Sequence, residues 1–212
     1  IYIFGLSFMM LSLTLILALL TVLISYQGFS NLKFQEKSMF IPYGVKYNKE
    51  YYRMLSHVFI HADWTHLSFN MISLYFLGSF LETQWVYEFG LMANYYFVIL
   101  YFGGALTATL WPFYRNSENP SYRSLGASGA VSAVVFAAML WYPELELYLM
   151  FIPIPIKAYV LAPLYLAFEY YSLKKGGSGV AHDAHIGGAV FGILFVLLID
   201  SNKGIEFLAL LF

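Results

Sequence analysis

The sequence predicts an all-α integral membrane protein, a bundle of six transmembrane helices with a short central fourth helix. Composition is the first reason: of 212 residues, 60% are hydrophobic and only 11% charged, against about 45–50% apolar and about 25% charged in ordinary soluble domains. The second is a recurrence of apolar stretches near the roughly 20 residues needed to cross roughly 30 Å of hydrocarbon. The third is that the few polar groups inside those stretches gather at the starts of alternate helices. The same arithmetic excludes other classes. Lys plus Arg total 11 against 12 Asp plus Glu, so there is no basic field for nucleic acid. With no Cys, disulfide frameworks, thiolate metal sites and Cys nucleophiles are excluded together. Aromatics at 20% suit lipid and the membrane interface rather than disorder.

The first span is expected over about 7–26, uncharged throughout and too long for the apolar core of a cleaved signal peptide, which runs about 7–15 residues. The second is expected over 65–81, ended by Glu82, and the third over 91–111, ended by Pro112. The fourth, 126–141, has 16 residues before Pro143, nine of them Gly, Ala or Ser. Small side chains let backbones approach closely, which suits the centre of a bundle. Its length of roughly 24 Å leaves one end below the membrane surface, in a cavity walled by other helices. The fifth span is expected over 149–171, through Pro153, Pro155 and Pro163, kinked or loosely packed at its start and the candidate mobile element. The sixth is expected over 183–199. The connection from Gln27 to Trp64 mixes five basic residues with many aromatics and reads as an ordered interfacial segment. No repeat or boundary interrupts the chain, so residues 1–212 are expected to form a single membrane domain.

Polar residues inside spans are costly and therefore informative. His57, His61, His66 and Asn70 lie at the start of the second span, Gly126, Ser128 and Gly129 at the start of the fourth, and His182, Asp183 and His185 at the start of the sixth. In an up-and-down bundle those three starts share one side. Ser128 stands in a Gly-x-Ser-Gly string where glycines leave its hydroxyl unobstructed, and a helix N-terminus offers unpaired N–H groups to an oxyanion. By itself the string is a weak signal and more often reads as a close-packing motif. His185 lies three residues before Gly188, which with Gly192 forms a small face suited to the fourth helix. A His within reach of a Ser is the minimum base and nucleophile pair. His66 and Asn70, four apart, share a helix face and can offer two donors toward one point. Each alone also reads as a helix-to-helix hydrogen bond.

Together these residues resemble the rhomboid family of intramembrane serine proteases, across the second to sixth spans. The family's Trp-Arg of the first loop corresponds to Tyr52-Arg53, its His-(x)4-His-(x)3-Asn to His61, His66 and Asn70, and its Gly-x-Ser-Gly to Gly126 through Gly129. Its Ala-His-x-x-Gly-x-x-x-Gly corresponds to Ala184-His185 with Gly188 and Gly192, and a Gly-x-x-x-Glu stands at Gly78 and Glu82. The resemblance implies a Ser128–His185 dyad. The oxyanion would be held by the Ser128 backbone N–H, His66 and Asn70. His61 and Arg53 would organise the first loop, and Glu82 would be a buried or interfacial hydrogen-bond partner. Implied partners are transmembrane protein substrates, cleaved near the outer membrane face, and membrane lipid; no cofactor or metal is implied. The fifth helix and the loop before the sixth would form the substrate gate.

Two positions depart from the family pattern. Ser132 stands where many members stack an aromatic on the catalytic His, so another group must orient His185, a hydroxyl being one option. Tyr52 replaces Trp beside Arg53. Asp183, two residues from His185, is expected to point elsewhere and to cap the sixth helix. Nine of the 11 basic residues fall on the side of the clusters, which by the positive-inside rule would turn that side to the cytoplasm. The family topology, in a bacterial inner membrane with the site facing outward, is the expectation, with deciding charges before Ile1. Two rival readings are a non-catalytic rhomboid-like protein that binds membrane helices, and a metal-dependent enzyme or transporter using His57, His61, His66 and His182.

Overall fold

The structure, a computed structural model, describes residues 12–148, 154–177 and 179–212. The first span is α1, Leu13–Ser30; its expected residues 7–11 lie outside the described ones. Ser12 caps it by accepting from Leu15 N–H at 3.3 Å. The helix runs past Gln27, and Gly28 in its last turn is buried beside Ile60 and Gln35 of the following loop.

The Gln27–Trp64 connection is ordered, as expected, into α2 (Leu32–Ser38), α3 (Pro42–Asn48), α4 (Arg53–Ser56) and a single 3-10 turn, His57–Phe59. Buried Arg53 holds it together. Its Nη1 donates to the carbonyls of Glu36, Lys37 and Met39 at 3.0, 2.7 and 2.9 Å, and its Nε to Glu50 Oε2 at 2.6 Å. One guanidinium thus satisfies orphan carbonyls at the end of α2 that the chain would otherwise leave unpaired.

The second span departs from its expected end at Leu81. Helix continues from Trp64 to Phe89 as α5 (Trp64–Ser73), one π-helical turn (Leu74–Gly78) and α6 (Ser79–Phe89). Glu82 does not stop it, because a partner meets its carboxylate. Its oxygens accept Leu13 N–H at 2.7 Å, Thr14 N–H at 3.1 Å and the Ser12 hydroxyl at 2.8 Å. A carboxylate against the positive end of α1 costs little to bury. Pro112 likewise fails to end the third span, α7 (Met92–Asn116); the missing N–H forfeits one intrahelical bond, and Asn116 Nδ2 donates to Pro112 O at 3.0 Å.

The fourth span is α8, Ser128–Trp141, starting two residues later than expected. Every residue from Gly129 to Trp141 except Val135 is buried, as the small side chains require. The fifth departs most. A hairpin of β1 (Glu146–Tyr148) and β2 (Pro155–Lys157), paired Glu146 to Lys157, precedes α9 (Ala158–Lys175). Pro155 therefore sits in a strand, Pro163 inside the helix, and Pro153 outside the described residues. The sixth span is α10, His182–Ile199, followed by the short α11, Asn202–Ala209.

α10 packs on α8 backbone to backbone. A Cβ at Gly188 would overlap the Gly129 carbonyl, and one at Gly192 the Ala133 carbonyl; only glycine permits that approach. α1, α7 and α10 are long and apolar enough to cross a membrane by length and composition, and α8 is a shorter apolar helix.

Candidate active site

The loop that delivers Ser128 is held from three sides. Gly126 N–H donates to His57 O at 3.0 Å and Ala127 N–H to His61 Nε2 at 3.2 Å. Gly126 has φ +119°, and a Cβ there would stand 2.6 Å from His66 Cε1, so the glycine provides both the turn and the room for the His66 ring. Because His61 Nε2 accepts, the ring's proton is on Nδ1, 2.9 Å from Ser25 Oγ, whose own hydroxyl donates to Phe59 O at 2.9 Å. Gln35 Nε2 donates to His61 O at 2.9 Å. His57 Nδ1 bonds Arg53 O at 3.0 Å. Burial pushes both loop imidazoles down, His57 to about 4 and His61 to about 3. They are neutral struts joining α1, the first loop and the start of α8. Arg53 and His61 thus tie the first loop to itself, to α1 and to the start of α8 by hydrogen bonds.

Ser128 itself is partly exposed, at the first position of α8. The first backbone bond of that helix runs from Val131 N–H to Ala127 O at 2.9 Å, leaving the Ser128 N–H ahead of it, as at any helix start. Across the Gly129–Gly188 seam, Gly129 lies near Ala184 O, so the start of α8 meets the start of α10. His66 is half-buried, its ring 4.9 Å from that of His61 and within electrostatic reach of His185. Asn70 is buried, but its Nδ2 donates to His66 O at 2.9 Å, so one of its two donors turns back onto its own helix.

Among the described residues the Ser128 hydroxyl makes no hydrogen bond, to His185 or to any other group. His185 is oriented instead by a residue that sequence reasoning missed. Its Nδ1 lies 3.1 Å from Glu169 Oε1 on α9, and His182 Nδ1 lies 2.5 Å from Glu169 Oε2. Glu169 is buried. A carboxylate, not a hydroxyl, therefore takes the orienting place expected beside Ser132. The signal was present: Glu169 is the sole acid in the expected fifth span, and an ionisable residue at membrane depth marks a candidate functional position.

Asp183 points away from His185, as expected, but is not the cap. Ala181 holds that place, while Asp183 accepts from Ala184 N–H at 3.0 Å and lies 3.8 Å from Arg115 Nη1. The metal reading does not assemble either, since His57, His61 and His182 are each committed to a different partner. Among the described residues, the three side chains spaced to share an ion are Glu169, His182 and His185.

Comparison with known proteins agrees with this architecture. The Rhomboid domain matches residues 48–202. The chain is 26% identical to Rhomboid protease AarA of Providencia stuartii over 208 residues, 90% of this chain and 73% of that protein. It is 29% identical to RHOMBOID-like protein 12, mitochondrial, of Arabidopsis thaliana, over 64% of this chain and 43% of that protein. Rhomboid-like protein 11, chloroplastic, of the same plant is 30% identical over 71% of this chain and 53% of its own length. The chain thus spans about half the length of the two plant relatives. A domain match across most of the chain, on a helical membrane bundle carrying the motif residues at the starts of α5, α8 and α10, leads to one conclusion: the chain belongs to the rhomboid family.

Proposed function

We propose that this protein is an intramembrane serine endopeptidase that cleaves transmembrane-helix substrates near the outer membrane face, with Ser128 as nucleophile and His185 as base. The observation that carries the reading is the glycine seam, which joins the start of α8 to the start of α10 at Gly129 and Gly188. With His185 Nδ1 directed to Glu169, Nε2 is the nitrogen left to take the Ser128 proton as Oγ bonds to the peptide carbonyl carbon. The resulting oxyanion meets the Ser128 backbone N–H, the His66 ring and the second amide proton of Asn70. Proton transfer from Nε2 to the departing amine breaks the peptide bond, and water then hydrolyses the acyl-enzyme by the same route in reverse. The unbonded apo hydroxyl is compatible with this chemistry, because catalytic hydrogen bonds often tighten only once substrate is bound.

Ser128→Ala and His185→Ala are each expected to abolish cleavage of a test transmembrane substrate with the thermal unfolding midpoint retained, and full cleavage by Ser128→Ala would sink the proposal. The second reading, a non-catalytic binder of membrane helices, draws on the unengaged Ser128 hydroxyl. A serine-directed fluorophosphonate separates the two: labelling at Ser128 is expected of the protease, and its absence favours the binder.

A further inference from the structure

We propose that Glu169 is a positioning residue for His185, so that the site works as a Ser128–His185–Glu169 triad although the family resemblance implies only a dyad. The inference rests on the protease reading above. An ionised carboxylate only accepts hydrogen bonds, so each of its contacts identifies a donor. Glu169 Oε1 lies 3.1 Å from His185 Nδ1 and Oε2 lies 2.5 Å from His182 Nδ1. Both imidazoles therefore carry their proton on Nδ1, and His185 is held with its Nε2 lone pair available. This is the tautomer a general base needs toward Ser128. When Nε2 takes the serine proton, the imidazolium faces a carboxylate one hydrogen bond away, and Glu169 itself stays ionised throughout.

The surroundings supply what such a carboxylate requires. Burying a charge in a membrane helix is costly without donors, and His182, one turn before His185 on α10, provides the second one. Tyr165, one turn before Glu169 on α9, turns its phenol to the same carboxylate. From α5, His66 is the titratable group within electrostatic reach of His185, while Asp183 lies 3.8 Å from Arg115 of α7. Ser132 is buried and bonds neither histidine, so nothing else on α8 takes the orienting role. The three side chains are also spaced for a metal ion, but the Nδ1 of each histidine is already in direct contact with its own carboxylate oxygen, which favours shared protons over a shared cation.

The test uses the full chain in detergent micelles and a transmembrane substrate, comparing kcat, KM and the thermal midpoint of wild type with Glu169→Gln, Glu169→Asp and Ser128→Ala. Glutamine keeps the shape but can no longer accept from both histidines. Glu169→Gln is expected to lower kcat on the order of 100-fold or more, with KM within about two-fold and the midpoint unchanged. Glu169→Asp is expected to recover at least about ten-fold over glutamine, and dialysis against a chelator to leave kcat unchanged. A Glu169→Gln enzyme within about three-fold of wild-type kcat, beside an inactive Ser128→Ala, would overturn the Glu169 role alone. So would a rise in KM at constant kcat, a midpoint that falls in step with activity for both Glu169 variants, or a large response to the chelator. Full cleavage by Ser128→Ala would remove the protease reading and the triad together.

Discussion

The two helices that flank α10 hold it by opposite means. Toward α8 the contact is backbone on backbone, with Gly188 and Gly192 against the carbonyls of Gly129 and Ala133. Toward α9 it includes a buried polar cluster, one carboxylate bridging two histidines. The first seam has no slack, since any side chain would occupy space the neighbouring backbone fills. The second depends on protons and charge, and it can be altered without moving a backbone atom. The glycine seam fixes the start of α8, which carries Ser128, against the start of α10, which carries His185. The orientation of the imidazole about its own bonds is a separate matter, and α9 supplies it through Glu169.

The largest effect that separates the two seams is expected from Gly188→Val. Overpacking a full contact commonly costs about 1–3 kcal/mol and sometimes more; with backbone as the obstacle we expect about 3 kcal/mol or more, read as a lowered unfolding midpoint in micelles. Glu169→Gln should do the reverse, sparing the midpoint while lowering kcat on the order of 100-fold or more. If Gly188→Val unfolded like wild type, the seam would not be the fixed element.

A smaller effect is expected in the first loop, where Arg53 joins four acceptors. Arg53→Lys keeps the charge but loses the fork, so some of the carbonyls at 36, 37 and 39 lose their donor. We expect about 1–3 kcal/mol of destabilisation, checked by the midpoint and by earlier proteolysis within 27–64. The smallest is a pH dependence. His57 and His61 are held neutral by burial, at about 4 and about 3, below an ordinary value of about 6.5. The unfolded chain therefore binds protons that the folded chain refuses. Stability from these two groups is complete above about pH 6.5 and is lost as pH falls toward 4 and 3. The midpoint should be flat above pH 7 and fall below it, and His61→Gln should flatten the fall. An unchanged slope in that variant would exclude His61 as a source.

Much of this was legible in the sequence because it rests on composition and spacing. Apolar run length located helix in each of the six expected stretches, three of them long and apolar enough to cross a membrane, and Gly188 with Gly192 announced a close-packed face. His61, His66, Asn70, Ser128 and His185 fell at the starts of alternate helices. Helix ends were less legible, and for one recurring reason. Glu82 and Pro112 read as terminators when considered locally, yet both lie inside helices, because α1 offers its N-terminal N–H groups to Glu82 and because one lost bond in α7 is affordable. The hairpin ahead of α9 was hidden in an apolar, proline-rich stretch that reads as helix or strand with equal ease.

The sequence by itself determined that this chain belongs in a bilayer, that its polar groups meet at one end of the bundle, and which helices can approach most closely. These follow from side-chain transfer energies and helical periodicity, which are local properties. Only the tertiary structure decided how His185 is held. Glu169 lies 16 residues earlier on another helix, and neither its spacing nor its type indicates which way it faces. That is set by the rotation of α9 about its axis, fixed through packing against α8 and α10, and rotation of one helix against another is not written in any single segment.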